Sequence, residues 1–291
     1  MQNNSRSAAK IAASMLIYGS VGVFRRYIAL PSGMLACIRG FVGALFLLAL
    51  GFIKRTKPAS FKGKTLGLLV LSGALMGFNW ILLFEAYNKT TVQTATLCYY
   101  MQPTILILLS PLVFGERLTV KKLACALVAL FGMVLVSGAE SSGSLIGIAL
   151  GLGAAVLYAA VTVINKKLPG LEVYQKTSVQ LLSAAVAILP YVLLCESAEG
   201  VAINARLGIF TAIVCIVHTG LAYALWFGGL DGVKGQTAAL LGYIDPIFAL
   251  ILSALLLGEK LTVSGALGAC LILGAAMVSE LNIKIKKTEP K

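Results

Sequence analysis

The chain has 291 residues, 59% of them hydrophobic and only 12% charged, with a net charge of +13. A soluble domain carries about 25% charged residues, so this composition excludes an ordinary water-soluble globule and makes the lipid bilayer the expected solvent. The six cysteines stand singly inside apolar runs without a C-x-x-C pair, and read as small buried hydrophobes rather than disulfides or metal ligands. Neither a metal nor a cofactor is expected.

A span needs about 20 apolar residues, and ten stretches qualify, expected at 9–30, 32–53, 65–87, 92–114, 119–138, 145–165, 173–194, 207–228, 235–257 and 262–282. The N-terminus, MQNNSRSAAKIAAS, leads into an apolar stretch without a clear small-x-small cleavage site, so that stretch reads as a retained first span rather than a signal peptide. It carries Tyr18-Gly19. The second span carries Arg39 at a depth of roughly 10 Å, at about 1.5 Å per residue, and Glu85 of the third lies at a matching depth. Unlike charges at one depth in lipid are expected to pair, because a lone one is costly. Arg39 is therefore either half of a structural ion pair or an anion-binding arginine.

The third span also holds Asn79-Trp80, and the fourth holds Tyr99-Tyr100 and Gln102-Pro103. Tyr158 lies in the sixth span, while the eighth carries His218, Tyr223 and Trp226 and the ninth Tyr243 and Asp245-Pro246. Tyr87 and Trp226, near span ends, read as interfacial belt residues. Asp245 and His218 both fall near the midplane of antiparallel spans. An aspartate in mid-membrane costs about 2.5 kcal/mol or more, and Pro246 removes a backbone donor beside it. Asp245 is thus expected to take up a proton or meet a cationic group, with His218 as partner, or else to stay protonated and bonded to a neighbouring helix.

With the N-terminus cytoplasmic, the inside loops gather most of the lysine and arginine, including Lys54, Arg55, Lys57, Lys62, Lys64, Arg117, Lys121, Lys122, Lys166, Lys167, Lys234, Lys284, Lys286 and Lys287. The outside keeps Arg25, Arg26, Lys89, Arg206 and Lys260. This is the positive-inside bias, and both termini are expected in the cytoplasm. The basic balance then reports topology rather than a nucleic-acid partner.

The sequence also occurs twice. YMQPTILILLSPLVFGERLTV from Tyr100 aligns without gaps to YIDPIFALILSALLLGEKLTV from Tyr243. The same register matches Trp80 with Tyr223, and two nearby ones match Tyr18 with Tyr158 and Arg39 with Gln180. Two units follow, 9–138 and 145–282, and five spans per unit force the copy to insert upside down. Such inverted repeats recur in secondary transporters, with the substrate held at the repeat interface, and they occur in channels as well. In each Gly-Glu-[Arg/Lys]-Leu-Thr stretch the glycine suits a left-handed helix end and the threonine the next helix cap, with the charged pair in water. Gly63-Lys64-Thr65 lacks the earlier glycine of a phosphate loop, since Pro58 stands there.

The doubled Pro…Gly-Glu-[Arg/Lys]-Leu-Thr pattern, with Tyr18-Gly19 and Arg39, resembles the EamA family of the drug/metabolite transporter superfamily. Relatives often have Trp-Gly where this chain has Tyr18-Gly19, and often carry an acidic residue before the proline of Asp245-Pro246. The resemblance implies ten helices, cytoplasmic termini, and export or exchange of small organic solutes.

The expectation is an all-α integral membrane protein of ten helices in two inverted five-helix repeats. It would move a small organic metabolite, amino acid or drug across the cytoplasmic membrane by alternating access, and would not be an enzyme. The substrate would touch Trp80, Tyr100, Gln102, Tyr223, Tyr243, Asn79, Tyr18 and Arg39, with Asp245 and His218 serving a proton or cation. A passive channel-like facilitator and an intramembrane enzyme are the alternatives.

Overall fold

A computed structural model describes residues 2–56, 61–115, 118–138, 145–168, 171–230, 232–233 and 235–280. Glu116, Arg117, Lys57, Lys234 and the basic residues after 280 lie outside them, as does the end of the second unit at 282. The described residues form helices and connecting turns and contain no strand. Eight helical segments are long and apolar enough to cross a membrane, and Val263–Ser279 is a shorter apolar helix. The chain is a multi-pass, ten-helix membrane protein.

The first three spans are the continuous helices α1 (Gln2–Arg26), α2 (Ser32–Ile53) and α3 (Gly63–Lys89). The fourth is broken into α4 (Val92–Tyr99) and α5 (Gln102–Phe114), and the fifth is α6 (Val120–Gly138). The second half repeats this plan with α7 (Leu145–Lys166) and α8 (Val173–Cys195). The eighth span runs as α9 (Ala205–Cys215), a π-helical turn (Ile216–Leu221) and α10 (Ala222–Leu230). The ninth is broken into α11 (Gly235–Gly242) and α12 (Ile244–Leu257), and α13 (Val263–Glu280) closes the bundle.

Hydropathy finds these spans but not their interruptions. The fourth and ninth break at register-matched tyrosines, Tyr100 and Tyr243, just before Pro103 and Pro246. A proline has no N–H for the preceding turn and its ring crowds that turn's carbonyl, so each span restarts as a new helix there. Gly115 and Gly258 end α5 and α12 in the left-handed region, each at φ 65°. A side chain there would be strained. The hydroxyls of Thr119 and Thr262 then accept from Lys122 N at 3.2 Å and Gly265 N at 3.1 Å, capping α6 and α13.

Packing follows the internal repeat. The third span lies on the sixth, and the eighth lies on the first; the fourth meets the sixth, and the ninth meets the first. The third crosses the seventh as the eighth crosses the second, while α2 meets α8 and α6 meets α13 directly. Shifting each span by five places therefore maps these contacts onto themselves. This is the contact pattern that a pseudo-two-fold axis between α2 and α8 and between α6 and α13 would give.

One expectation is corrected at the end of the bundle where α1 stops. The hairpin pattern places Glu259 in water. Its carboxylate instead accepts from Val92 N at 2.8 Å and Gln93 N at 3.1 Å, at the free N-terminus of α4, with Arg26 at 3.5 Å. The Gln93 side chain returns a bond to the Glu259 carbonyl at 3.0 Å, and Arg26 also donates to Thr90 O at 2.6 Å. The first N–H groups of a helix have no partner within it, and in a membrane protein a carboxylate from a neighbouring hairpin serves. Glu196 does the same for α2, accepting from Gly33 N and Met34 N, each at 2.7 Å.

Glu259→Gln should therefore destabilise the detergent-purified protein by about 1.5–3 kcal/mol, the worth of hydrogen bonds to a charged group, seen as a lower thermal midpoint. Lys260→Ala, at an exposed neighbour, should change stability by no more than about 0.5 kcal/mol. Equal midpoints for the two variants would contradict the capping role.

Candidate functional site

The two broken spans and the helices packed against them line a central cavity of about 360 Å³. The first span contributes Met15, Tyr18 and Val21, the second Arg39, and the third Trp80, Phe84 and Tyr87. The fourth adds Thr96, Tyr99, Tyr100 and Gln102 around its break. From the second half come Tyr158, Tyr223, Trp226, Tyr243 and Asp245. The break before each proline turns a polar side chain, Gln102 or Asp245, toward this space. Irregular backbone at membrane depth is tolerated where protein or a cavity surrounds it.

Aromatic rings form most of the wall. Tyr18 meets Tyr223 edge-on at 5.7 Å, Tyr99 lies 5.5 Å from Tyr158, and Tyr99 and Tyr100 stand edge-to-face at 6.0 Å. These are favourable ring geometries. The buried Tyr18 hydroxyl has no hydrogen-bond partner among the described residues. Gly19 lets α12 approach closely, since a Cβ there would lie 2.5 Å from the Asp245 carbonyl oxygen.

An arginine and an aspartate face the cavity. Arg39, only 5% exposed, lays its guanidinium over the Trp80 ring at 4.1 Å and near the Phe84 ring at 5.4 Å. Its Nε donates to Thr219 Oγ1 at 3.1 Å. Its terminal nitrogens take no hydrogen-bond partner among the described residues. The ring faces attract the cation electrostatically, without cancelling its charge. Asp245 Oδ2 accepts from the Tyr100 hydroxyl at 2.6 Å, and Gln102 donates to Thr162 Oγ1 at 3.2 Å. Among the described residues neither Arg39 nor Asp245 forms an ion pair.

Most of the residues singled out by sequence thus meet in one space: Trp80, Tyr100, Gln102, Tyr223, Tyr243, Arg39, Tyr18 and Asp245. Asn79 does not reach it. It is fully buried and donates to Ala154 O at 2.5 Å, tying α3 to α7. His218 is also elsewhere: its Nε2 is 2.8 Å from Ser20 Oγ, its Nδ1 3.3 Å from Ile213 O, and its ring packs on Phe24 at 4.8 Å. The π-helical turn aims it at α1, so Asp245 and His218 are not hydrogen-bonded to each other.

The Arg39–Glu85 pair is likewise corrected. Glu85 accepts from Ser32 Oγ at 2.5 Å, and Ser32 in turn accepts from Arg25 Nη2 at 3.0 Å. The two charges share a depth but not a direction, because Trp80 and Phe84 occupy the face of α3 that Arg39 meets. Tyr87 and Trp226 are corrected too, as wall residues of the cavity rather than belt residues. Sequence reasoning did not place Tyr99, Thr96 or Tyr158 at the site, although Tyr158 is the register mate of Tyr18. It missed Thr219 entirely, since nothing in the sequence announces a π-helical turn.

A ten-helix bundle whose packing follows the internal repeat, around an aromatic cavity that holds an arginine and an aspartate, is the architecture of a membrane transporter. The chain belongs to the EamA-like transporter family, whose model matches residues 6–138 and again 145–280. It is 28% identical over 280 residues to a Bacillus subtilis protein named uncharacterized transporter YxxF, covering 93% of this chain and 88% of that one. It is also 28% identical over 272 residues to an Escherichia coli protein named probable amino-acid metabolite efflux pump, covering 89% of this chain and 88% of that one. A crystal structure only 19% identical superposes with a TM-score of 0.68 over 94% of this chain and 96% of its own, which supports the fold.

Since Arg39 and Glu85 have separate partners, the stability effects of Arg39→Ala and Glu85→Gln should add within about 0.5 kcal/mol, as for independent sites. Thermal denaturation of both single variants and the double variant measures this. Recovery of the Arg39→Ala loss by Glu85→Gln would restore the direct pair and refute the arrangement described.

Proposed function

We propose that the protein is a secondary carrier that exports a small amphoteric organic solute, of amino-acid type with an apolar or aromatic body, across the cytoplasmic membrane by alternating access. The observation that carries this reading is the unpartnered end of the Arg39 guanidinium in an aromatic cavity that also holds the Asp245–Tyr100 pair. A carboxylate on the solute complements the first, an ammonium group complements the second, and rings accommodate the body between them. The name borne by the Escherichia coli relative agrees with this class of solute.

The two units, 9–138 and 145–282, would rock against each other about the pseudo-two-fold axis, exposing the cavity to each side in turn. Placement of lysine and arginine supports cytoplasmic termini. The capped end with Arg26 and Glu259 then faces outward. Asp245 is the candidate for coupling to protons, acting with Tyr100 rather than with His218. No enzymatic step belongs to this reading.

Purified protein in liposomes preloaded with unlabelled leucine or phenylalanine should take up the labelled amino acid faster than empty vesicles do, with saturation. Arg39→Gln should slow that exchange at least about tenfold, as the loss of roughly 1.4 kcal/mol or more implies. Asp245→Asn keeps the shape but cannot ionise, and should make flux insensitive to an imposed pH gradient while exchange persists. Unsaturable flux without stimulation by preloaded solute would favour a pore, and undiminished pH sensitivity in Asp245→Asn would make Asp245 structural.

A further inference from the structure

The eighth span loses its α-helical register over Ile216–Leu221, where it widens into a π-helical turn. Such turns are rare and occur mostly at functional sites. The matching span of the first half, α3, runs unbroken from Gly63 to Lys89, so the turn is an added feature and not a consequence of the repeat. What it adds is the placement of Thr219.

Thr219 is fully buried. Its hydroxyl donates to Val214 O at 3.1 Å, five residues back, and accepts from Arg39 Nε at 3.1 Å. Both directions of the hydroxyl are therefore in use. Two glycines bring the helices close enough for this. A Cβ on Gly43 of α2 would stand 2.5 Å from the Thr219 methyl, and one on Gly220 would stand 2.6 Å from the Phe46 ring.

Consequences for Arg39 follow from guanidinium geometry. The group is planar and offers carboxylates a bidentate fork along either of two edges. Thr219 occupies Nε and with it the side-on edge. Trp80 covers one face at 4.1 Å. The end-on edge, formed by the two terminal nitrogens, is the fork left for a ligand.

We propose that Thr219 is a positioning residue for Arg39, and that the π-helical turn exists to hold the guanidinium end-on toward the carboxylate of the transported solute. This rests on the reading of Arg39 as the carboxylate site. Thr219 itself touches no solute. It sets selectivity for a carboxylate by fixing the orientation of the group that does.

The chain has two tryptophans, and both Trp80 and Trp226 line the cavity, so solute binding to purified protein is read by intrinsic fluorescence. The probes are phenylalanine and phenylalaninamide, compared at a pH low enough that both amines stay protonated, so that they differ in the carboxylate. Wild-type protein should prefer the acid. Thr219→Val, which removes the hydroxyl at nearly constant shape, should cut that preference about tenfold by weakening acid binding alone. Thr219→Ser should restore it to within about twofold, and Thr219→Ala serves in place of the valine variant should the latter fold poorly.

An equal loss for acid and amide in Thr219→Val would mean a structural role and overturn the proposal. An unchanged preference in Thr219→Val, where Arg39→Gln abolishes the preference, would overturn it while leaving Arg39 as the carboxylate site. A wild-type protein with no preference, or an Arg39→Gln protein that keeps it, would overturn the carboxylate reading and the positioning role together.

Discussion

Within hydrocarbon, each backbone N–H and C=O must find its partner inside the protein, because an unsatisfied group costs several kcal/mol. An unbroken helix meets that demand alone, and most of the spans are built this way. The departures define the molecule. Breaks at Tyr100 and Tyr243 open toward a central cavity, where polar groups can be met. The π-helical turn is met by the Thr219 hydroxyl on Val214 O. Helix starts at α2 and α4 are met by Glu196 and Glu259, reaching across from other elements. Each break in the regular ladder thus becomes either part of the cavity wall or a tie between helices.

The repeat sorts these features into two kinds. Three register-matched pairs on the cavity wall are aromatic: Tyr18 with Tyr158, Trp80 with Tyr223, and Tyr100 with Tyr243. They give both halves a similar surface. The charged positions are asymmetric. Arg39 matches Gln180, which is buried against Ser72 and Asn165 instead of the cavity, and Asp245 matches Gln102. Shape is shared between the halves, while charge belongs to one position in each.

Hydropathy made the ten spans legible to within a few residues, because burial in lipid is a property of composition along the chain. The internal repeat and its parity made the inversion legible as well. Depth could be read from residue counts, which is why Arg39, Trp80 and Tyr223 were recognised as interior. Direction around the helix could not be read. That failing explains the mistaken pairing of Arg39 with Glu85, the mistaken partnership of Asp245 with His218, the placing of Asn79 at the site, and the reading of Tyr87 and Trp226 as belt residues. Glu259 looked like a solvated hairpin charge because nothing local reveals that the start of α4 lies beside it. Thr219 went unseen because a π-helical turn is a matter of register, and its composition resembles that of the flanking helix.

The central claim is that one cavity serves both sides of the membrane in turn. The direct measurement replaces the six native cysteines, introduces a single cysteine at Val21 on the cavity wall, and follows labelling by a membrane-impermeant thiol reagent applied from either side. Labelling should proceed from both faces, with solute changing the two rates in opposite directions as it shifts the population between states. A cysteine labelled from one face alone, or from both faces at rates that solute changes together, would contradict a carrier of this design.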